Sequence, residues 1–312
     1  MCGCKLNCKP ELDVVAVGAA AVDFMVKVNE HPRVDEIAIS EDFRIFPGGS
    51  TANVAFYLSK LGLKVGFVGK IGEDQYGKLI RENFEKVGIN TSHLLVDRKA
   101  RTASTFIAVD SRGRRVIYSL GGDPLPTSKD EIDVEYLGCA KLVYVGEAFP
   151  NVVEEPLKKA KEKGVIIVYS PGGIFSSFGL NYLTPIIRLC RFMVISRREL
   201  EKLMGSKSPE ASKRIIELGA EAVIVTMGEK GAFIVSREGV KLVPAFRVKV
   251  IDTTGAGDAF TAGFIYSFLK GNDIEKSVLF GNGLAALKVK HFGPRLESVS
   301  IEMIEKIISK HA

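Results

Sequence analysis

Short apolar runs alternate with amphipathic segments along this chain, and this alternation limits the folds that the sequence can adopt. We interpret the runs as buried strands and the segments between them as helices. Repeated strand and helix alternation predicts an α/β fold, with a mostly parallel central sheet and helices on both faces. The predicted strands are Asp13 to Gly18, Lys64 to Gly69, Lys141 to Gly146, Val165 to Tyr169, Phe192 to Ile195 and Ala222 to Thr226, and the predicted helices are Thr51 to Leu61, Tyr76 to Val87, Val152 to Lys163 and Glu210 to Leu218.

Two segments interrupt this alternation, at about residues 24–46 and 102–120. In both, polar and apolar residues alternate without a helical pattern, and the second contains the hairpin-like turn Asp110-Ser111-Arg112-Gly113. We predict that they form a small β lid near the carboxyl ends of the strands, where ligands of open α/β sheets bind. The predicted organisation is a flexible, cysteine-containing tail at residues 1–11 and one α/β domain at residues 12–312, with the lid as a discontinuous part.

The composition excludes several classes of protein. With 312 residues, of which 46% are hydrophobic, the chain can bury the core of one large domain. No apolar run reaches about 18 residues and no secretory segment is evident, so we expect a cytoplasmic protein with no membrane partner. The net charge of +6, from 43 basic and 37 acidic residues spread along the chain, does not indicate nucleic-acid binding. No fourth ligand is evident near the three cysteines of the predicted tail, Cys2, Cys4 and Cys8.

The sequence Asp-Thr-Thr-Gly-Ala-Gly-Asp-Ala-Phe at residues 252–260 carries most of the chemical information. Its glycines permit a tight turn, and the apolar run that follows has the character of a buried helix. Free N–H groups in the first turn and the positive end of the helix dipole form a site for a phosphate. Asp258 lies beside that site, where a carboxylate suggests proton abstraction during phosphoryl transfer. Taken alone, Asp258 could instead simply offset the helix dipole.

This motif resembles the C-terminal signature of the ribokinase-like (pfkB) carbohydrate kinases. The sequence Gly-Gly-Ser-Thr-Ala-Asn-Val-Ala at residues 48–55 is similar to the N-terminal glycine motif of that family, and the similarity extends over about residues 13–293. The resemblance implies a kinase that transfers the terminal phosphoryl group of a nucleotide to a hydroxyl of a sugar or polyol. It also implies that Asp258 is the general base and that the anion hole is formed by the backbone amides of Gly255, Ala256 and Gly257.

Several short polar groups match positions that bind the acceptor in the family. Asp23 follows the first strand, and Gly48, Gly49 and Asn53 open the first long helix, where bare backbone lets a sugar approach closely. Taken alone, these residues also suit an Asx turn and a helix cap. Glu147, which follows the third predicted strand, is a further candidate for a sugar contact.

The nucleotide site is predicted from a second resemblance. Residues 225–232 are similar to the family's Thr-x-Gly-x-x-Gly segment, which implies that Thr226, Gly228 and Gly231 lie near the donor phosphates. Alone, this segment is only a β-turn between strands. Asn282 matches a position near the adenine, although an isolated helix asparagine usually faces solvent.

The cofactors implied by the resemblance are Mg²⁺ and a monovalent cation such as K⁺. The family's Asn-x-x-Glu near the magnesium appears here as Ser196-Arg197-Arg198-Glu199, so Glu199 would act through water and Ser196 could bond a metal-bound water. This substitution leaves the choice between ATP and ADP open, and Glu199 could also be an ordinary acidic residue in the first turn of a helix. The monovalent cation would bind main-chain oxygens around Asp252 and Gly293, by family analogy only.

Other functions remain open from the sequence. A nucleoside kinase of the same family would need an apolar surface for the base, for which the candidates are Phe24, Phe46, Phe106 and Phe149. A kinase of a sugar phosphate would bind the acceptor's phosphate with a basic cluster, provided that these side chains turn into the cleft. The cluster is formed by Arg98, Lys99, Arg101, Arg112, Arg114 and Arg115. A non-catalytic nucleotide-binding protein is the distant alternative. In relatives the lid often forms the dimer contact, so we expect a homodimer through the lid.

Overall fold

Two β-sheets organise the protein. The computed structural model describes residues 11–310, so the predicted tail, including Cys2, Cys4 and Cys8, lies outside the described residues except for Glu11. Within this range the chain forms thirteen strands, which are β1 (Leu12–Val17), β2 (Ala21–Val28), β3 (Ser40–Gly48), β4 (Val65–Gly72), β5 (Leu94–Asp97), β6 (Ser104–Val109), β7 (Arg115–Ser119), β8 (Ala140–Val145), β9 (Ile166–Tyr169), β10 (Phe192–Ser196), β11 (Ala222–Thr226), β12 (Ala232–Ser236) and β13 (Gly239–Val243).

The larger sheet has nine strands in the order β13-β12-β11-β10-β9-β8-β1-β4-β5. The strands from β11 to β5 pair in parallel, and β12 and β13 extend that sheet as an antiparallel hairpin. All six strands predicted from apolar runs belong to the parallel part. The predicted α/β fold class is therefore confirmed, and the antiparallel hairpin is an addition to it.

Helices cover both faces of the larger sheet. Along β1, Val14 and Ala16 join one hydrophobic cluster and Val15 and Val17 join the other, because successive side chains of a strand point to opposite faces. The α-helices of the described range are α1 (Ser50–Lys60), α2 (Gln75–Lys86), α3 (Val134–Gly138), α4 (Pro150–Glu162), α5 (Gly172–Phe175), α6 (Leu180–Ile187), α7 (Arg197–Met204), α8 (Lys213–Glu217), α9 (Ala256–Leu269), α10 (Ile274–Lys288) and α11 (Ile301–Ser309). Among residues 11–310, no helix has the length and apolar character needed to cross a membrane.

Short 3₁₀ helices complete the described structure. They span Lys129–Glu131, Ser176–Phe178, Pro209–Ser212 and Gly228–Lys230. The prediction of one continuous helix over residues 210–218 is wrong. The structure forms there the 3₁₀ helix Pro209–Ser212, followed by the short α8.

The smaller sheet is the predicted lid. Its four strands lie in the order β3-β2-β6-β7, with β2 and β6 parallel and the two outer pairs antiparallel. The hairpin between β6 and β7 reaches the start of α9, where the Thr253 hydroxyl donates to the Gly113 carbonyl at 3.2 Å. The lid therefore contacts the turn that the sequence singled out for anion binding.

Two glycines with left-handed backbone provide a matched test of this fold. Gly49 precedes α1 with φ 88°, and a Cβ there would lie 2.8 Å from the backbone of β2 and the residues before it, whereas Gly62 has φ 87° and open space. We expect Gly62→Ala to cost about 1 kcal/mol, from the backbone penalty alone. Gly49→Ala should cost about 2–5 kcal/mol, because steric overlap adds to that penalty. Urea unfolding of both variants measures the difference, and equal losses would contradict the close approach of Gly49 to the backbone at residues 19–21.

Candidate active site

A tight turn leads into α9. The Asp252 carboxylate accepts from Thr254 N at 2.8 Å, from the Thr254 hydroxyl at 2.7 Å and from Gly293 N at 2.9 Å. Gly255 has φ 73°, and a Cβ there would lie 2.0 Å from the Pro294 carbonyl oxygen, so the turn requires glycine. No side chain caps α9. The N–H of Ala256 donates to the Thr253 carbonyl at 3.2 Å, so of the three predicted anion-hole amides those of Gly255 and Gly257 are the ones left for a ligand.

A cleft of about 810 Å³ opens at this turn. Its volume lies in the range of small-molecule sites, and a Cβ on Gly257 would meet nothing within 4 Å. The structure therefore brings the predicted anion hole together with most of the predicted nucleotide residues, since the cleft is lined by Ala256, Gly257, Thr226, Gly228, Gly231 and Asn282.

The cleft walls come from strand ends and from α10. Thr226 ends β11, and the 3₁₀ turn Gly228–Lys230 joins that strand to β12. Asn282 is 6% exposed, and its side-chain amide donates to the carbonyls of Val243 at 3.1 Å and Pro244 at 3.0 Å. It therefore holds the segment after β13 against α10 and does not face solvent.

Asp258 lies in the first turn of α9 and is half-buried. Ser50 Oγ donates to its Oδ1 at 2.8 Å, and Asn53 Nδ2 donates to its Oδ2 at 2.7 Å. Burial raises the pKa of Asp258, and the bonds from Asn53 and Ser50 and the charge of Arg115 oppose this. The predicted Asn53 is thus joined to Asp258, while Ser50, inside the glycine motif, was missed as a site residue.

Asp23 lies on β2 beside the start of α1. Thr105 on the neighbouring β6 donates to Asp23 Oδ1 at 2.6 Å, and a Cβ on Gly48 would lie 2.0 Å from Asp23 Oδ2. The Asp23 carboxylate therefore fills the space beside Gly48. Burial raises the pKa of Asp23 to about 6, against the bond from Thr105 and the charge of Arg295.

Glu147 lies just beyond β8 and is joined to α1, because the Thr51 hydroxyl donates to Glu147 Oε2 at 3.2 Å. Burial raises the pKa of Glu147 to about 7, and the charges of Asp258 and Glu199 add to this effect. The structure thus places Glu147 within electrostatic reach of the candidate base.

Arg295 is a buried cation that sequence reasoning missed. Its Nε donates to Asn53 Oδ1 at 2.7 Å and its Nη1 to Asn83 at 2.5 Å, while its guanidinium lies 4.9 Å from the Phe56 ring centroid. Asn53 therefore accepts from Arg295 and donates to Asp258. No local motif surrounds Arg295 in the sequence, so only its contacts reveal this role.

Ser196 and Glu199 form a reciprocal cap at the start of α7. The Glu199 carboxylate accepts from Ser196 N at 2.7 Å, and the Ser196 hydroxyl accepts from Glu199 N at 3.3 Å. Ser196 pairs with Thr226 in the sheet, so it lies near the cleft without lining it. Within residues 11–310, no group of three or more acidic, histidine or cysteine side chains is arranged to hold a metal ion.

The predicted monovalent-cation position contains a lysine side chain. Asp252 and Gly293 do lie together, but the Asp252 carbonyl accepts from Lys288 Nζ at 2.9 Å. Lys288 is fully buried, and burial lowers its pKa to about 8, against the charge of Asp252. A bound K⁺ does not fit this arrangement.

Of the basic cluster that includes Arg98 and Arg115, one member reaches the site. Arg115 Nη1 donates to the Thr253 carbonyl at 2.6 Å, which places its charge beside the turn. Arg98 pairs with Glu73, Arg101 donates to the Leu120 carbonyl, and Arg114 pairs with Asp110. The cluster as a whole therefore does not line the cleft.

Comparisons with known proteins agree with this geometry. The family model described as pfkB family carbohydrate kinase matches residues 11–301. The chain is 30% identical to the 5-dehydro-2-deoxygluconokinase of Bacillus velezensis, in an alignment that covers 98% of this chain and 97% of that protein. It is also 30% identical to the deoxyribokinase of Salmonella typhi, in an alignment that covers 96% of this chain and 99% of that protein. The structure of Arabidopsis thaliana ribokinase complexed with ribose and ATP superimposes with a TM-score of 0.81 at 25% identity, over 95% of this chain and 98% of that one.

Proposed function

This chain belongs to the pfkB family of carbohydrate kinases, and we propose that Asp258 is its general base and the N-terminus of α9 its phosphate site. The protein is a phosphotransferase with an alcohol group as acceptor. The donor that we propose is ATP, and the acceptor is an unphosphorylated sugar or polyol. One observation carries this proposal: the Asp258 carboxylate is held by Ser50 and Asn53, and the neighbouring residue Gly257 lines a cleft large enough for a nucleotide.

The proposed reaction divides the work between backbone and side chains. An acceptor hydroxyl held near Asp23 and Asn53 would give its proton to Asp258, while its oxygen forms a bond to the terminal phosphorus and the bond to ADP breaks. The N–H groups at Gly255 and Gly257 would stabilise the negative charge that moves during this step, while that of Ala256 holds the Thr253 carbonyl in the turn. Ser50 and Asn53 would orient the base, since each donates to a different carboxylate oxygen.

The lid would contribute both charge and shielding. Arg115 holds the Thr253 carbonyl next to the proposed anion hole, and its charge lowers the pKa of Asp258. A guanidinium at this position suits a phosphate better than a neutral group would. Closure of the lid over the turn would also remove water from the reacting phosphate.

Mg²⁺ is part of the proposal, and Glu199 would hold it through water, as the family resemblance implies. The carboxylates of Glu147 and Glu199 lie within electrostatic reach of Asp258, and such oxygens suit a hard cation that keeps several waters. Glu199 Oε2 already accepts from Ser196 N, so Oε1 would be the oxygen that faces a metal-bound water. Bound with the nucleotide, Mg²⁺ would neutralise phosphate charge.

The choice of an unphosphorylated sugar follows from relatives and from the lid. The relatives named above act, by their names, on sugars and sugar derivatives, and only Arg115 of the basic cluster reaches the turn. For the nucleoside alternative, Phe46 pairs opposite Asp23 in the lid sheet, although its ring packs against Phe292. Because ATP is a cytoplasmic metabolite, the proposal includes a cytoplasmic location.

We also propose that the protein is a homodimer through the lid. Four exposed apolar side chains lie on one face of the smaller sheet, because Phe43 and Val116 are in one cross-strand row and Ile45 and Tyr118 are in the next equivalent row. Their exposed fractions are 56%, 39%, 43% and 59%. An apolar face of this kind favours burial against a second copy.

A panel of acceptors tests the proposed reaction. Purified protein, Mg²⁺ and either ATP or ADP should be incubated with pentoses, hexoses, inositols, nucleosides and sugar phosphates, with the products identified by mass spectrometry. We expect ATP-dependent phosphorylation of an unphosphorylated sugar or polyol. The Asp258→Asn variant, purified and incubated in the same way, is the negative control. Transfer only to a nucleoside or a sugar phosphate would replace the proposed acceptor, and transfer to none would contradict the proposed function.

Substitution of the base tests the mechanism. We expect Asp258→Asn to lower kcat by about 10²–10⁴, because the amide cannot take the hydroxyl proton, while the KM values for both substrates change little. Steady-state kinetics and the thermal midpoint should be measured together. Asp123→Asn, at an exposed residue after β7 and outside the site, is the matched control and should match the wild type. An unchanged kcat in Asp258→Asn would rule out this residue as the base.

The oligomeric state tests the lid contact. We expect sedimentation velocity to show a dimer, and Phe43→Glu to give a monomer, because it places a charge on the apolar face. Ile174→Glu is the matched control, since Ile174 is 61% exposed but lies on α5, outside the lid, and this variant should stay dimeric. A monomeric wild type would contradict the proposed homodimer.

A further inference from the structure

Lys288 is the last residue of α10, and its side chain ends among backbone oxygens. Its Nζ donates to the carbonyls of Asp252 at 2.9 Å and His291 at 3.3 Å, and it lies 3.7 Å from Asp252 Oδ2. The side chain has no exposed surface. A fully buried lysine is uncommon in proteins unless it is paired, so this position is a specific one.

The surroundings of this ammonium group suit a dehydrated cation. Two carbonyl oxygens and a carboxylate converge on it, and the carboxylate is itself fixed by Gly293 N at 2.9 Å. Such oxygens replace the water shell that a cation loses on burial. A covalently tethered ammonium group therefore takes the role for which a free monovalent ion would otherwise be recruited.

The same ammonium group supports the anion hole. The main-chain carbonyl of Asp252 accepts from Lys288 Nζ. Its carboxylate accepts from Thr254 N and from the Thr254 hydroxyl. These contacts fix the turn that continues through Gly255 into α9. The N–H groups of that first turn are the proposed phosphate donors, so the geometry of the donors depends on a positive charge behind the turn.

We propose that Lys288 is a built-in substitute for a monovalent cation, so that the protein works without K⁺ or Na⁺. This inference rests on the proposed function, because it concerns the turn that would bind the phosphate. Lys288 is a positioning residue here: it acts on the phosphate through Asp252 and Thr254. The K⁺ expected from the family resemblance would compete with the ammonium group for the Asp252 carbonyl.

The first test compares cations in the wild-type protein. Turnover should be measured at a constant ionic strength of about 0.1 M, set with tetramethylammonium chloride, and again with KCl or NaCl in its place. We expect rates within about twofold of each other, because only general screening by salt is changed. A stimulation by K⁺ of about tenfold or more, the size of a lost charge contact, would overturn the proposal.

The second test removes the built-in cation. Lys288→Ala leaves space for an ion, and we expect its turnover to fall at least about tenfold in tetramethylammonium chloride and to recover with KCl or NH₄Cl. Lys288→Met, which keeps the length without the charge, should lose activity without recovery. The matched control is Lys290→Ala, an exposed neighbour, which should behave as the wild type. Loss of activity in Lys288→Ala that no cation restores would reduce Lys288 to a packing role and overturn the proposal.

A measurement independent of turnover separates this inference from the proposed function. The thermal unfolding midpoint of Lys288→Ala should rise with added KCl relative to tetramethylammonium chloride, since an ion that binds only the folded state stabilises it. The midpoint of the wild type should not respond to the exchange. A wild type that is stabilised as much as the variant contradicts the inference, whereas absent turnover with a normal midpoint pattern contradicts only the proposed kinase site.

Discussion

The contact between α1 and α9 is the interaction on which the candidate site depends. It brings Ser50 and Asn53 to Asp258, which lies 208 and 205 residues later in the chain. Both helices are buried along most of their length, so their separation is set by packing and not by flexible side chains. The acceptor motif at the start of α1 and the phosphate motif at the start of α9 are therefore one site in space, with Asp258 at the boundary between them.

Much of the fold is predictable from the sequence, because its signals are local. Short apolar runs identify six of the seven parallel strands, and the alternating segments identify the lid. Three strands of the larger sheet were not predicted. β5 and β13 are its edge strands, where half-exposed strands have weaker apolar patterns, and β12 lies between β13 and β11. Residues 72–79 have the glycine and lysine spacing of a P-loop, although Leu79 stands where a P-loop has Ser or Thr. In the structure this segment connects β4 to α2, and Asp74 caps the helix.

The candidate site is predictable only as far as its motifs extend. Residues within the two motifs, such as Gly255, Asp258 and Asn53, are identified by their spacing and by the family resemblance. Arg295 and Lys288 do not, because each acts through a pairing with residues more than 30 positions away and no local pattern encodes it. At one point the structure differs from what the resemblance implies, since the Asp252 carbonyl, expected to bind a free monovalent cation, accepts from the ammonium group of a buried lysine.

The site must attract a negatively charged nucleotide although several carboxylates lie around it. Burial of these carboxyl groups reduces their electrostatic repulsion of the phosphates. A buried carboxyl loses hydration in its charged form, which raises the pKa of Asp23 to about 6 and that of Glu147 to about 7. Near neutral pH, part of the negative charge is thereby removed from the acceptor side. The phosphate side instead gathers Arg115, the uncapped start of α9 and the charge of Lys288 behind the turn. Asp258 lies where these two environments meet, so it can remain a base beside an anion site without repelling the phosphate as an exposed carboxylate would.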